Sequence, residues 1–156
     1  MKLVIFGWGN ESRGDDAFGP LLLRRAEALG LTDVTAVEDF QLQIEHALDL
    51  DDADLALFLD ASRMAEPPFS FKEIFPRTDL GYTTHALAPE AVLSVFAQLR
   101  KREPPPSFAL GVRGESYGLG EDLSPQGRER LEAAWKFTES LIKAPDAEAW
   151  RKHATL

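Results

Sequence analysis

An apolar run, Lys2-Leu3-Val4-Ile5-Phe6, passes directly into Gly7-Trp8-Gly9-Asn10-Glu11-Ser12-Arg13-Gly14-Asp15-Asp16-Ala17-Phe18-Gly19 and then into an amphipathic stretch. A strand that hands over to a helix through a glycine-rich turn points to an α/β design, with the turn at the carboxyl end of the strand. Glycines in such a turn usually suggest a phosphate cradle, because backbone N–H groups point outward and the helix dipole favours anions. Asp15 and Asp16 oppose that use: a carboxylate pair repels a phosphate, whereas a cation relieves the repulsion between the two side chains. The turn therefore reads as a metal-facing loop. Adjacent side chains at a helix start diverge by about 100°. One of the two carboxylates is thus expected to face the crevice while the other caps or bonds backbone amides.

The rest of the chain alternates between strand and helix patterns. Val34 to Glu38 suits a second strand, and Leu55-Ala56-Leu57-Phe58-Leu59-Asp60 a third whose near-continuous hydrophobicity implies burial on both faces. Phe69 to Phe75, flanked by Pro67-Pro68 and Pro76, suits an edge strand, and Ser107 to Val112 makes a fifth. Phe18, Leu21, Leu22, Ala26 and Leu29 recur at helical spacing before a Gly30 stop, and Ile44 to Leu50 suits a shorter helix. Pro89 opens a helix through Arg100, and Ser124-Pro125 reads as an N-cap and first turn leading on to Leu141. The expected architecture is a three-layer α/β sandwich, a mostly parallel sheet flanked by helices on both faces. It forms one domain over residues 1–143, and the polar stretch 144–156 is expected to be a peripheral tail.

Composition narrows the chemistry. A length of 156 residues with 44% hydrophobic content supports a single core. The net charge of −9 disfavours a nucleic-acid partner, since phosphates are repelled without a strong basic patch. The local basic cluster, Arg100-Lys101-Arg102, falls in the last turn of an expected helix, where cations offset the dipole. With no cysteine, a metal held by this chain alone must rest on oxygen and imidazole. The first apolar run is too short for a secretory segment and no stretch has the length of a membrane span, so a cytoplasmic protein is expected.

Ligands of open α/β sheets bind beyond the carboxyl ends of the strands, where the winding direction reverses. Asp16 follows the first strand, Asp60 ends the third, and His85 sits in Gly81-Tyr82-Thr83-Thr84-His85 before the Pro89 helix. If the first and third strands are neighbours, Asp16 and Asp60 face each other across the crevice and His85 closes it. Two carboxylates and an imidazole suit Ni²⁺, Zn²⁺, Fe²⁺ or Mn²⁺ with positions left open for water or substrate. Asp15 is then a candidate general base. His46 and His153 read as ordinary surface or partly packed residues.

The glycine turn through Gly19 resembles that of the hydrogenase maturation endopeptidases. So do Leu57-Phe58-Leu59-Asp60-Ala61, Thr83-Thr84-His85 with the Pro89-Glu90 helix, and Gly111-Val112-Arg113-Gly114-Glu115 through Ser124-Pro125. These segments follow the family's order from residue 2 to about residue 140. The resemblance implies a five-stranded sheet of order 2-1-3-5-4 with the fourth strand antiparallel, and Asp16, Asp60 and His85 as the metal-contacting and catalytic trio. It further implies a substrate, the precursor of a nickel–iron hydrogenase large subunit. Its nickel is already held by the precursor's own cysteines when the C-terminal extension is removed. A monomer that meets this precursor transiently is expected. One alternative is a non-catalytic nickel-binding chaperone with the same trio. Another is peptidyl-tRNA hydrolase, whose opening motif is similar, but which needs a histidine-asparagine pair and a basic surface that this chain lacks.

Overall fold

A computed structural model of the chain describes residues 1–78 and 87–155. Five strands, β1 (Leu3–Trp8), β2 (Val34–Asp39), β3 (Leu55–Ser62), β4 (Phe69–Ile74) and β5 (Ser107–Arg113), form one sheet. The order is β2-β1-β3-β5-β4, parallel throughout except for β4, which runs antiparallel to β5. This is the order that the resemblance implied. The proline-flanked strand lies at one edge, where missing N–H donors break no ladder.

Alternation along the central strands feeds two cores. Leu3 and Ile5 of β1, with Leu55, Leu57 and Leu59 of β3, pack under α1 (Phe18–Ala28) and α3 (Pro125–Lys143). Val4, Phe6, Ala56 and Phe58 face α2 (Pro89–Arg100) and a 3-10 segment over Ile44–Leu50. Because helices cover both faces, these strands read as continuous apolar runs. The 3-10 geometry of Ile44–Leu50 suits its sequence, since buried Ala47 and Leu50 stand three residues apart and eclipse on one side.

A glycine pair presses α1 onto the sheet. A Cβ at Gly19 would lie 2.3 Å from the Trp8 carbonyl oxygen and 2.8 Å from that of Leu59, and a Cβ at Gly7 would lie 2.6 Å from the Gly19 carbonyl oxygen. This close approach brings the start of α1, and the aspartates just before it, over the ends of β1 and β3.

The expectation of a peripheral tail is corrected. Residues Ala147–His153 form a fourth helix, α4, whose Trp150 is 1% exposed. Its ring sits 5.3 Å from that of Phe108 and 6.3 Å from that of Phe71, and its Nε1–H donates to the Leu141 carbonyl at 3.2 Å. The Thr155 N–H then donates to the Phe71 carbonyl at 2.9 Å, covering part of the outer edge of β4. A polar composition hid this because one large aromatic ring supplies the anchoring. Trp150→Ala is expected to destabilise the fold by about 3–5 kcal/mol. A urea melt with an unchanged midpoint would instead place the tail outside the core. No helix among the described residues is long and apolar enough to cross a membrane.

Candidate active site

After β1 the chain turns sharply at Gly9, whose φ is +147°, and a Cβ there would lie 2.0 Å from the Asp16 carbonyl oxygen. A left-handed, side-chain-free residue is what this turn requires. A short 3-10 turn over Gly14–Ala17 then carries the two aspartates into α1. The Asn10 N–H donates to Asp16 Oδ2 at 2.7 Å and fixes that side chain at the turn. Asp60 lies within β3, which extends through Ser62 because β5 pairs with it as far as Ser62 opposite Arg113. The Ala61 N–H donates to Asp60 Oδ1 at 2.7 Å.

Asp16 and Asp60 line one cleft of ≈ 670 Å³ at the carboxyl edge of the sheet, bordered by Arg13, Phe40, Arg63 and Tyr117. Asp60 also borders a smaller hollow shared with Pro89 and Glu90, so the chain enters α2 beside it. Part of Asp60 reaches solvent at the mouth, but its carboxyl is set among protein atoms, and that burial pushes its pKa up to about 8. The Ala61 N–H works against the rise, and the neighbouring Asp16 carboxylate adds to it. Asp16 is raised as well, chiefly by burial, with the Asn10 N–H and the charges of Arg63 and Arg13 opposing. Two carboxylates that repel each other in a partly desolvated cleft form a site that a cation stabilises.

Asp15 takes a different course. It is fully buried and its carboxylate accepts from the N–H groups of Glu115 at 2.8 Å, Ser124 at 2.9 Å and Ser116 at 3.3 Å, and from the Ser124 hydroxyl at 2.7 Å. Burial raises its pKa, yet these four donors outweigh it and leave the group below the ordinary aspartate value. The general-base role considered for Asp15 is therefore corrected. Its oxygens are committed to protein donors, and it ties the glycine turn to the start of α3. The expected division of labour between adjacent aspartates holds, with Asp16 on the cleft and Asp15 on the amides.

His85 lies outside the described residues. Among the described residues no group of three histidine, aspartate or glutamate side chains is placed to hold a metal ion. His46 is buried rather than superficial: its Nδ1 accepts from the Gln43 N–H at 2.8 Å and its ring meets Phe6 edge-on. His153 is exposed on α4, its ring 6.0 Å from that of Phe137.

Sequence reading passed over three neighbours of the carboxylates. Phe40, 75% exposed, stands at the rim just past β2. Arg63 and Tyr117 come from the segments after β3 and β5, and the Arg63 guanidinium lies 3.9 Å from the centre of the Tyr117 ring. No spacing rule links two residues that meet only because β3 and β5 are neighbours.

Fold and cleft define the class first: a three-layer α/β protein with two carboxylates lining one cleft at the carboxyl edge of a mixed sheet. No protein-family model and no curated protein matches the chain. Solved structures do. It is similar to the nickel–iron hydrogenase maturation protease HycI of Thermococcus kodakarensis, at 28% identity and a TM-score of 0.70 over 91% of this chain and 92% of that one. The hydrogenase maturating endopeptidase HybD of E. coli shares the fold at 20% identity and a TM-score of 0.71, over 93% of this chain and 94% of that one. A hydrogenase 2 maturation peptidase from a Thaumarchaeota archaeon does so at 21% identity and a TM-score of 0.64, over 92% and 99%. Over nearly its whole length, then, the chain is similar to solved hydrogenase maturation endopeptidases.

Proposed function

We propose that this protein removes the C-terminal extension from the precursor of a nickel–iron hydrogenase large subunit after nickel insertion, and that it recognises the inserted nickel. The observation that carries the reading is the meeting of Asp16 and Asp60 in one cleft, close enough that the Asp16 carboxylate opposes ionisation of Asp60. In this reading His85, from the segment before α2, completes the set of ligands.

The donor set fits an ion that arrives with ligands of its own. Two carboxylates leave a divalent ion under-coordinated, and without thiolates the cleft holds a borderline metal less firmly than the precursor's cysteines do. Nickel therefore belongs to the substrate, and its approach favours ionised Asp16 and Asp60. Asp60, with a pKa near 8, gives up its proton as the positive charge approaches. Docking thus depends on nickel, and it sets the start of the extension against the cleft. For the cleavage step two routes are consistent with these groups: polarisation of the scissile carbonyl, or activation of a water with an unligated base.

The test incubates the purified protein with nickel-loaded and nickel-free precursor and follows loss of the extension by mass. Removal from the nickel-loaded form alone is expected. Equal cleavage of both forms contradicts recognition through nickel, and nickel-dependent binding without cleavage favours the chaperone.

A further inference from the structure

The chain carries more carboxylates than cations, 26 against 17, and its arginines mostly find them. Arg24 meets Glu11 and Glu38, Arg25 meets Glu132, Arg100 meets Asp51, Arg130 meets Glu115, and Arg151 meets Glu73. Two arginines of the cleft do not. Among the described residues neither Arg13 nor Arg63 donates a side-chain hydrogen bond or lies within ion-pair distance of a carboxylate, although both act on Asp16 through space.

Arg63 is also held in place. Its guanidinium lies over the Tyr117 ring at 3.9 Å, and the Tyr117 hydroxyl is packed against Gly114, where a Cβ would come within 2.1 Å of it. A planar guanidinium backed by an aromatic face keeps its edge donors directed away from the ring. It has lost rotamer freedom before any ligand arrives, which lowers the ordering cost of binding.

We infer that Arg63, seated on Tyr117 and assisted by Arg13, anchors a carboxylate of the substrate chain beside Asp16 and Asp60. The inference rests on the peptidase reading and adds a specificity determinant to it. A carboxylate matches the guanidinium fork with two parallel hydrogen bonds, and its charge offsets a pair of cations to which no described residue offers an acceptor. Two sources carry this chemistry: an acidic side chain flanking the cut, or the free terminus of the extension.

The experiment measures cleavage kinetics and precursor affinity for wild type, Arg63→Gln, Arg63→Lys and Tyr117→Ala. Arg128→Gln, on the exposed side of α3, controls for net charge. Arg63→Gln is expected to raise both KM and Kd about tenfold with kcat within about twofold of wild type. Arg63→Lys restores part of the loss, Tyr117→Ala reproduces part of it, and Arg128→Gln changes neither constant. A precursor with the acidic side chains flanking the cut changed to amides is compared with one whose terminus is moved by a glycine-serine tail. The one that no longer responds to Arg63→Gln names the source. Unchanged KM and Kd in Arg63→Gln overturn the inference, as does a response that persists in both altered precursors. A wild type that binds the precursor without cutting it overturns the peptidase reading while the Kd ratio still decides the anchor. A wild type that neither binds nor cuts overturns both.

Discussion

Asp60→Asn is expected to lower kcat/KM for precursor processing by at least about a thousandfold, and at the same time to raise the thermal stability of the metal-free protein at pH 8. The first effect follows from the proposed role of Asp60 as a charged oxygen ligand to the nickel of the precursor. The second follows from linkage. Asp60 has a folded pKa near 8 against an ordinary value of 3.8, so between those limits the native state binds a proton that the unfolded chain releases. Its favourable contribution is complete below the unfolded value and is lost as pH rises towards 8. Asparagine keeps the oxygen that accepts from Ala61 and has no charge to desolvate. The gain at pH 8 is expected to be about 1–2 kcal/mol. That corresponds to a melting-temperature rise of about 3–6 °C in a domain of this size. Calorimetry of chelator-treated wild type and variant at pH 5 and pH 8 reads it directly. A variant that processes normally, or that melts no higher than wild type at pH 8, rules out a desolvated, ion-contacting carboxylate at position 60.

Asp15→Ala, one position from Asp16, is expected to act through the fold. It strands three backbone N–H groups and one hydroxyl around the space left by a fully buried carboxylate. The loss is expected to be about 3–5 kcal/mol, the range for breaking a buried, charged hydrogen-bond network. Ser124 caps α3 by accepting from Gly127 at 2.9 Å, so the same substitution loosens the start of that helix. The pH dependence has the opposite sign to that of Asp60. The folded pKa of Asp15 is depressed, so its contribution is present above the unfolded value of 3.8 and disappears as pH falls through the folded one. A denaturant midpoint within error of wild type at pH 7 would contradict this role. Retained hydrogen exchange protection at the start of α3 would do so as well.

The five strands and the order of helices were legible because apolar periodicity and proline and glycine punctuation are local signals. The edge of the sheet that carries Asp16 and Asp60 was legible too, since both residues end or follow apolar runs that had to be buried strands. Why Asp16 and not its neighbour faces the cleft was not legible. Asp15 is chosen for burial by Glu115, Ser116 and Ser124, about a hundred positions further along the chain, and by glycines at 114 and 127 whose lack of Cβ leaves it room. The docking of α4 escaped for a related reason: its composition is polar, and a single indole facing Phe71 and Phe108 outweighs it. Arg63 and Tyr117 carry no local signature at all, because their contact exists only through the pairing of β3 with β5.

Sequence alone determined the layer architecture, the acidic character of the turn and the exclusion of thiolate ligation, because hydrophobic pattern, charge and residue chemistry belong to the chain before it folds. Tertiary structure decided the assignment of the two aspartates, the elevated pKa of Asp60 and the cationic wall of the cleft. Desolvation, charge coupling and buried hydrogen bonds depend on distances between segments far apart in the chain, and only the packed sheet sets those distances.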